Sequence, residues 1–246
     1  MIQSVDRALR VLAVLQGARR RSLGEIATAM ELAPSTVHGI VRTLVSHGMV
    51  VQERDTGLYR LGPATLRLGN VYLDNLELRA HAQPWIADLA ERTGCGVRVA
   101  VPLADDVVVV AAAPTPVEVG IVIPAHACAL GKALLAHGAC SVAERPRRMT
   151  GETLVDGRDR AAALTAVRST GLATEVEEAV LGECGLAAPV ATADEVCGAI
   201  ALVVPSADWP LPPSALDALR QTARAISREL GASTWPPTGE HEPASA

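Results

Sequence analysis

The sequence predicts an α/β protein of the α+β kind in two parts: a small helical unit closed by a β-hairpin, then a larger unit with a central antiparallel sheet. Three observations carry that expectation. Residues 1–63 hold three helical periodicities of apolar residues, followed by two short strand-like runs around a glycine turn. From residue 79 onward, hairpin-linked valine- and alanine-rich runs are interspersed with helical stretches, which implies an antiparallel sheet with helices on its faces. Charge divides at the same place. Residues 1–63 carry eight Arg against five acidic residues, a balance of +3, and the remainder balances at −8. Such asymmetry points to an anionic partner at the N-terminal end.

Composition narrows the classes. At 246 residues the chain has room for one large or two small domains, and at 49% hydrophobic residues it needs no staple to fold. Five cysteines (Cys95, Cys128, Cys140, Cys184, Cys197) stand far apart with no CxxC, against both a disulfide framework and a zinc module. The first residues are polar (Gln3, Ser4, Asp6, Arg7), without the pattern of a signal peptide, and no uncharged apolar run reaches the ~20 residues of a membrane span. A cytoplasmic protein without membrane contact is expected. With no Phe and two Tyr, the core must be aliphatic.

The N-terminal elements follow in order. Ser4 is a candidate cap for a helix carrying Val5, Ala8, Leu9, Leu12 and Leu15, which Gly17 and Arg19-Arg20-Arg21 end. A second helix spans about Leu23–Met30. After Glu31-Leu32-Ala33, Pro34 suits the first turn of a third helix, whose buried stripe would be Val37, Ile40, Val41 and Leu44. Ser35, Thr36, His38 and Arg42 then lie on its open face. Two helices joined by a tight turn, the second opening with small polar residues, match a helix-turn-helix. That second helix enters a major groove about 12 Å wide. Glu31 stands where glycine is usual, at a cost of roughly 1 kcal/mol for a left-handed turn. Met49–Arg54 and Leu58–Leu61 around Asp55-Thr56-Gly57 read as a hairpin, a wing whose Arg54 and Arg60 could reach the DNA backbone or minor groove. Gly39 inside the third helix, together with Glu31, leaves a second reading open, a sensor or interaction module that has lost DNA binding.

The stretch from Ser22 to Gly62, SLGEIATAMELAPSTVHGIVRTLVSHGMVVQERDTGLYRLG, resembles the winged helix-turn-helix of the IclR family of bacterial transcriptional regulators. The run Ile123 to Ala136 is similar to that family's "PLHATALGKALLA" stretch. A third motif is Glu177-Glu178 followed by Gly182 and Leu186 to Val190. Three motifs in order cover nearly the whole chain. Within the family, Thr36 to Ile40 and Gly69 to Asp74 resemble glycerol-operon regulators of actinomycetes. The resemblance implies a DNA-binding domain at 1–63, a linker helix at 64–78 that helps dimerise the chains, and a GAF-like effector-binding domain at 79–232. Residues 233–246 are expected to form a disordered tail. The implied partners are double-stranded operator DNA, a small organic effector (glycerol, glycerol 3-phosphate or a small organic acid) and a second copy of the chain, as a dimer or dimer of dimers.

In the second unit a helix is expected at Arg79–Thr93, strands at Cys95–Val101, Val107–Ala113 and Val117–Ile123, and helices at Ala129–His137 and Arg158–Ser169, the latter capped by Asp156. Strands near Leu172–Val176, Leu186–Ala191 and Val196–Val204 and a helix at Ser214–Leu230 complete it. The resemblance implies an effector pocket lined by Cys128, Ala129 and Leu130 on one side. Glu175, Gly185, Leu186 and Ala187 form the other wall, with Ala201 and Val203 on the last strand. Gly185 stands where many members have Cys, and Ala201 and Val203 where many have hydroxyls. Bland readings stand beside these: core strand residues, a solvated run at Glu175, Glu177 and Glu178, and a structural helix-terminus role for Lys132. An anionic ligand would meet repulsion from Glu175, with Arg98 as the counter-charge; a neutral polyol would not. Catalysis is excluded, because His126 and Cys128 are two apart and point apart in either helix or strand. No P-loop, dinucleotide fingerprint or metal-spaced His pair appears either, so no cofactor or metal is expected.

Overall fold

The computed structural model describes residues 2–17 and 20–235. Chain contacts divide them into two compact units, which meet between Asn75 and Leu76.

In the first unit, α1 (Gln3–Gln16), α2 (Leu23–Met30) and α3 (Pro34–Ser46) enclose a core of Val11, Leu15, Ile26, Ala27, Met30, Val37, Val41 and Leu44. Ser4 does not cap α1: the helix begins at Gln3 with Ile2 in the cap position, and Val5 and Leu9 of its apolar stripe are exposed. Ile40 is only partly buried, because the stripe of α3 drifts as it passes α2. Serine earns its cap at α2 instead. There Ser22 Oγ accepts from Glu25 N at 3.2 Å while Glu25 Oε2 accepts from Ser22 N at 2.7 Å, a reciprocal capping box that satisfies two otherwise orphaned backbone donors. Glu31 turns the chain left-handed at φ 55°, as its position requires, and Leu32 N donates to Ala27 O to close the helix end.

The wing is β1 (Val50–Gln52) against β2 (Tyr59–Leu61), antiparallel, with Val50 opposite Leu61. Arg21 adds a bridge on the far side of Tyr59, exchanging both backbone hydrogen bonds at 2.9 and 2.7 Å; Arg19 lies outside the described residues. After the wing, α4 (Pro63–Asp74) buries no residue of its own. The expected linker 64–78 is therefore shorter than its apolar pattern implied. Leu78 belongs to the next helix and is a buried core residue of the second unit.

The second unit is built on six antiparallel strands: β3 (Gly96–Leu103), β4 (Asp106–Ala113), β5 (Val122–Pro124), β6 (Ala173–Val176), β7 (Glu183–Ala191) and β8 (Val196–Pro205), in the order β5-β4-β3-β8-β7-β6. Helices α5 (Glu77–Thr93) and α8 (Pro213–Glu229) cover one face. The other receives α6 (Ala129–Leu135), with α7 (Gly157–Thr170) outside it. Asp156 caps α7 as expected, accepting from Arg158 N at 2.8 Å and Asp159 N at 3.2 Å. The expected strand Val117–Ile123 is mostly absent. Pro116 opens a single 3-10 turn through Glu118 and Gly120 adopts φ 92°, so the regular strand is only Val122–Pro124, preceded by an irregular step in which Gly120 N donates to Val109 O at 2.8 Å and Val109 N to Ile121 O at 2.9 Å. All seven residues of α6 are buried. Gly131 permits this, because a Cβ there would overlap the Ala125 backbone.

The chain end departs from the expected disorder as far as Trp235. Its Nε1 donates to Pro189 O at 2.9 Å, and the Arg224 guanidinium sits 5.2 Å from the indole centroid. Residues 236–246 lie outside the described residues.

Candidate functional site

Two sites take shape, one in each unit. In the first, Pro34 occupies the opening turn of α3, where its missing N–H is no loss. The helix buries Val37, Val41 and Leu44, so Ser35, Thr36, His38 and Arg42 all fall on the exposed side. Gly39 does not break the helix, and a Cβ there would meet nothing within 4 Å. Arg54 and Arg60 are exposed on the wing. Arg60 approaches Glu53 Oε1 at 3.6 Å, and Arg20 holds the same oxygen at 2.9 Å. The sequence reading missed Arg20, which folds back to flank the wing.

In the second unit a cavity of about 200 Å³ opens between the start of α6, the β4–β5 connection and one end of the sheet. Cys128, Ala129, Leu130, Glu175, Gly185, Ala201 and Val203 all line it. Leu186 and Ala187 do not. Alternation along β7 sends Leu186, paired with Leu202, to the face covered by α5 and α8. Ala187 shares the face of Gly185 but lies fully buried in the cluster beneath α6. Arg98 and Glu183 line the cavity, with Met149 and Val180 among its apolar members. Met149 escaped the sequence reading because it comes from an irregular segment. Thr150 and Thr153 hold that segment, donating to Glu177 O and Glu178 O at 2.7 Å each.

The acidic stretch is not a solvated run. Glu175 and Glu178 are buried at 4% and 6% exposure, because Glu177 turns left-handed at φ 55° and folds the chain back. Lys132, also buried, pairs with Glu178 and donates to Thr174 O at 3.1 Å, so its role is structural. Among the described residues no cation forms an ion pair with Glu175, and the nearby Lys132 is held by Glu178. Glu175 Oε1 accepts from Glu178 N and Ala179 N at 3.2 Å each, and Oε2 lies over Gly185, where a Cβ would be only 3.0 Å away. Burial pushes the Glu175 carboxyl up to about 7, partly countered by the hydrogen bond from Ala179. Gly185, lacking a side chain, gives that carboxyl its space.

Arg98 is not the free counter-charge expected. Its Nε and Nη2 bind Glu118 at 2.8 and 2.6 Å, and Nη1 and Nη2 bind Glu183 at 2.7 and 2.8 Å. Burial alone would pull the guanidinium down, but these charge-assisted bonds more than reverse it, and they hold Glu118 below the usual carboxylate range. Cys128 caps α6 through a 3.3 Å bond from Gly131 N, and burial pushes its thiol up to about 12. His126 is engaged with Arg147 O at 3.0 Å. A protonated, buried thiol with no base is no nucleophile.

One unit thus presents a helix with an exposed polar face beside a wing, and the other a partly open cavity with a largely apolar lining. The family model described as the IclR helix-turn-helix domain matches residues 4–54, and that described as the bacterial transcriptional regulator IclR C-terminal matches residues 70–228. The chain belongs to the IclR family of bacterial transcriptional regulators. It is a ligand-responsive DNA-binding regulator and not an enzyme. Among its relatives is the glycerol operon regulatory protein of Streptomyces coelicolor, 37% identical over 94% of this chain and 97% of that protein. An IclR transcriptional regulator from Alicyclobacillus acidocaldarius superposes with TM-score 0.78 at 25% identity, covering 94% of this chain and 100% of that one. An IclR homolog from Microbacterium hydrocarbonoxydans, solved with 4-hydroxybenzoate, gives TM-score 0.74 at 23% identity over 93% and 99% of the two chains. The IclR helix-turn-helix match falls within the first compact unit, and the IclR C-terminal match falls in the second from Leu76 onward.

Proposed function

We propose that this IclR-family chain controls a catabolic operon of the glycerol type in the cytoplasm. In this reading it binds operator DNA as a homodimer, or a dimer of dimers, and answers to a small organic effector held in the cavity of the second unit. The observation that carries the reading is the exposed face of α3, where four groove-compatible side chains stand on the side away from buried Val37, Val41 and Leu44. The glycerol assignment draws on the Streptomyces relative, whose likeness runs the length of the chain. Ser35, Thr36 and His38 address base edges and Arg42 a base or phosphate, with Arg54 and Arg60 gripping the backbone. Self-association is supported by Leu66, Leu68, Val71 and Tyr72, all at least half exposed on α4, where a solvated helix has no use for them. Among the described residues no helix is long and apolar enough to cross a membrane.

The test is titration of the full chain onto its own upstream intergenic DNA at two salt concentrations, with and without glycerol or glycerol 3-phosphate. Binding that weakens with salt and shifts with one ligand supports the reading. Specific binding indifferent to both ligands removes the glycerol assignment, and absence of specific binding removes the DNA-reading one. Arg42→Ala is expected to cost roughly 1–3 kcal/mol of operator affinity. Footprinting that finds both the affinity and the salt slope unchanged would show Arg42 to lie off the interface.

A further inference from the structure

We propose that the cavity is built for an uncharged, hydroxyl-bearing molecule and against a carboxylate or phosphate, because its one guanidinium is already held by two of the chain's own carboxylates. The inference rests on reading the cavity as the effector site. Arg98 is the only cationic residue among the described residues that line it, since Lys132 is turned away into its pair with Glu178. Four of the five N–H groups of Arg98 are taken, Glu118 and Glu183 each engaging it with both oxygens. No forked face is left for an incoming anion, which would have to expel one of these glutamates. Expulsion would leave a carboxylate beside Glu183, Glu118 and Glu175 in a largely apolar cavity.

A hydroxyl meets no such conflict. Glu175 Oε2 has no hydrogen-bond partner among the described residues and borders the space over Gly185. An alcohol can donate to that oxygen when the carboxyl is ionised and accept from it when it is protonated. The remaining N–H of Arg98 Nη1 offers a second polar contact. Val203, Ala201, Leu130 and Ile123 supply the apolar wall for a short carbon skeleton. At about 200 Å³ the cavity falls below the ~300–1,000 Å³ of sites for drug-sized ligands, which suits a molecule of few heavy atoms.

The experiment is isothermal titration of the full chain near neutral pH with three probes: glycerol, glycerate and glycerol 3-phosphate. Glycerol is expected to bind, and each anion to bind at least tenfold more weakly. Either anion binding as tightly as glycerol overturns the inference while leaving the glycerol-operon reading in place. Binding of none of the three overturns both, and the operator titration then reports separately on the DNA-reading unit. A second arm uses E118Q combined with E183Q, which unclasps the guanidinium. If the double variant keeps its circular dichroism spectrum, it should gain at least tenfold in affinity for glycerol 3-phosphate; a folded variant without that gain also overturns the inference.

Discussion

Glu175 shows at the scale of one residue how a site imposes a cost on its fold. A carboxyl buried without a cation favours its protonated form, and here its pKa rises from 4.5 to about 7. The native state therefore holds a proton that the unfolded chain has already released, so stability falls as pH rises from about 4.5 to about 7 and then levels off. Glu175→Gln removes the ionisation and keeps a carbonyl to accept from Ala179 N. The variant is expected to match the parent near pH 4 and to exceed it at pH 8 by up to roughly 3 kcal/mol. Urea midpoints across that range check it, and parallel pH profiles for the two proteins would remove Glu175 as the source. The sequence revealed that Glu175 belongs to the site but not that it is buried. Three acidic residues in four positions look solvated until a left-handed residue between them reverses the chain, and φ at Glu177 is not written in its side chain. Arg98 was legible as a cation near the cavity. Its quenching was not, because Glu118 and Glu183 reach it from positions 20 and 85 residues away.

Among elements, the helices of the first unit were read nearly to the residue, since turn chemistry and apolar period agree there: Pro34 opens α3 and Leu23–Met30 is an uninterrupted amphipathic run. Legibility failed where a strand lost its period. Val117–Ile123 has the composition of a strand, but Pro116 starts a 3-10 turn and Gly120, at φ 92°, interrupts the ladder beside Val109, and that turn carries Glu118 to Arg98. Gly39 raises a separate question in α3. A glycine in a helix interior costs roughly 0.5–1 kcal/mol relative to alanine, and nothing within 4 Å of its would-be Cβ requires it. We propose that it serves the close approach of DNA. Gly39→Ala is accordingly expected to raise the unfolding free energy of the free protein by about 0.5–1 kcal/mol and to weaken operator binding at least tenfold. A thermal melt paired with an operator titration decides it. Stabilisation with unaltered affinity would mean that the groove does not close on position 39.

At the scale of the whole molecule, the question is what meets the apolar face of α4, which buries no residue of its own. Leu68, Val71 and Tyr72 lie at i, i+3 and i+4 on α4, each at least half exposed, which is the spacing of a helix seam. Leu68→Glu is expected to shift sedimentation toward the monomer and to lower operator affinity at least tenfold, because one recognition helix forfeits the second half-site. A sedimentation profile unchanged by the substitution would move the self-association surface elsewhere. Signalling through such an assembly is bounded by linkage. If glycerol changes operator affinity by some factor, operator DNA must change glycerol affinity by the same factor. A useful switch needs about 1–3 kcal/mol of coupling, or roughly 5–150-fold. Titrating glycerol into the free protein and into the operator complex should return the ratio found by titrating operator with and without saturating glycerol. Equal factors place effector and operator in one equilibrium carried by this chain. Unequal factors would mean that glycerol acts on the DNA complex by another route than the cavity, whatever its effect on transcription.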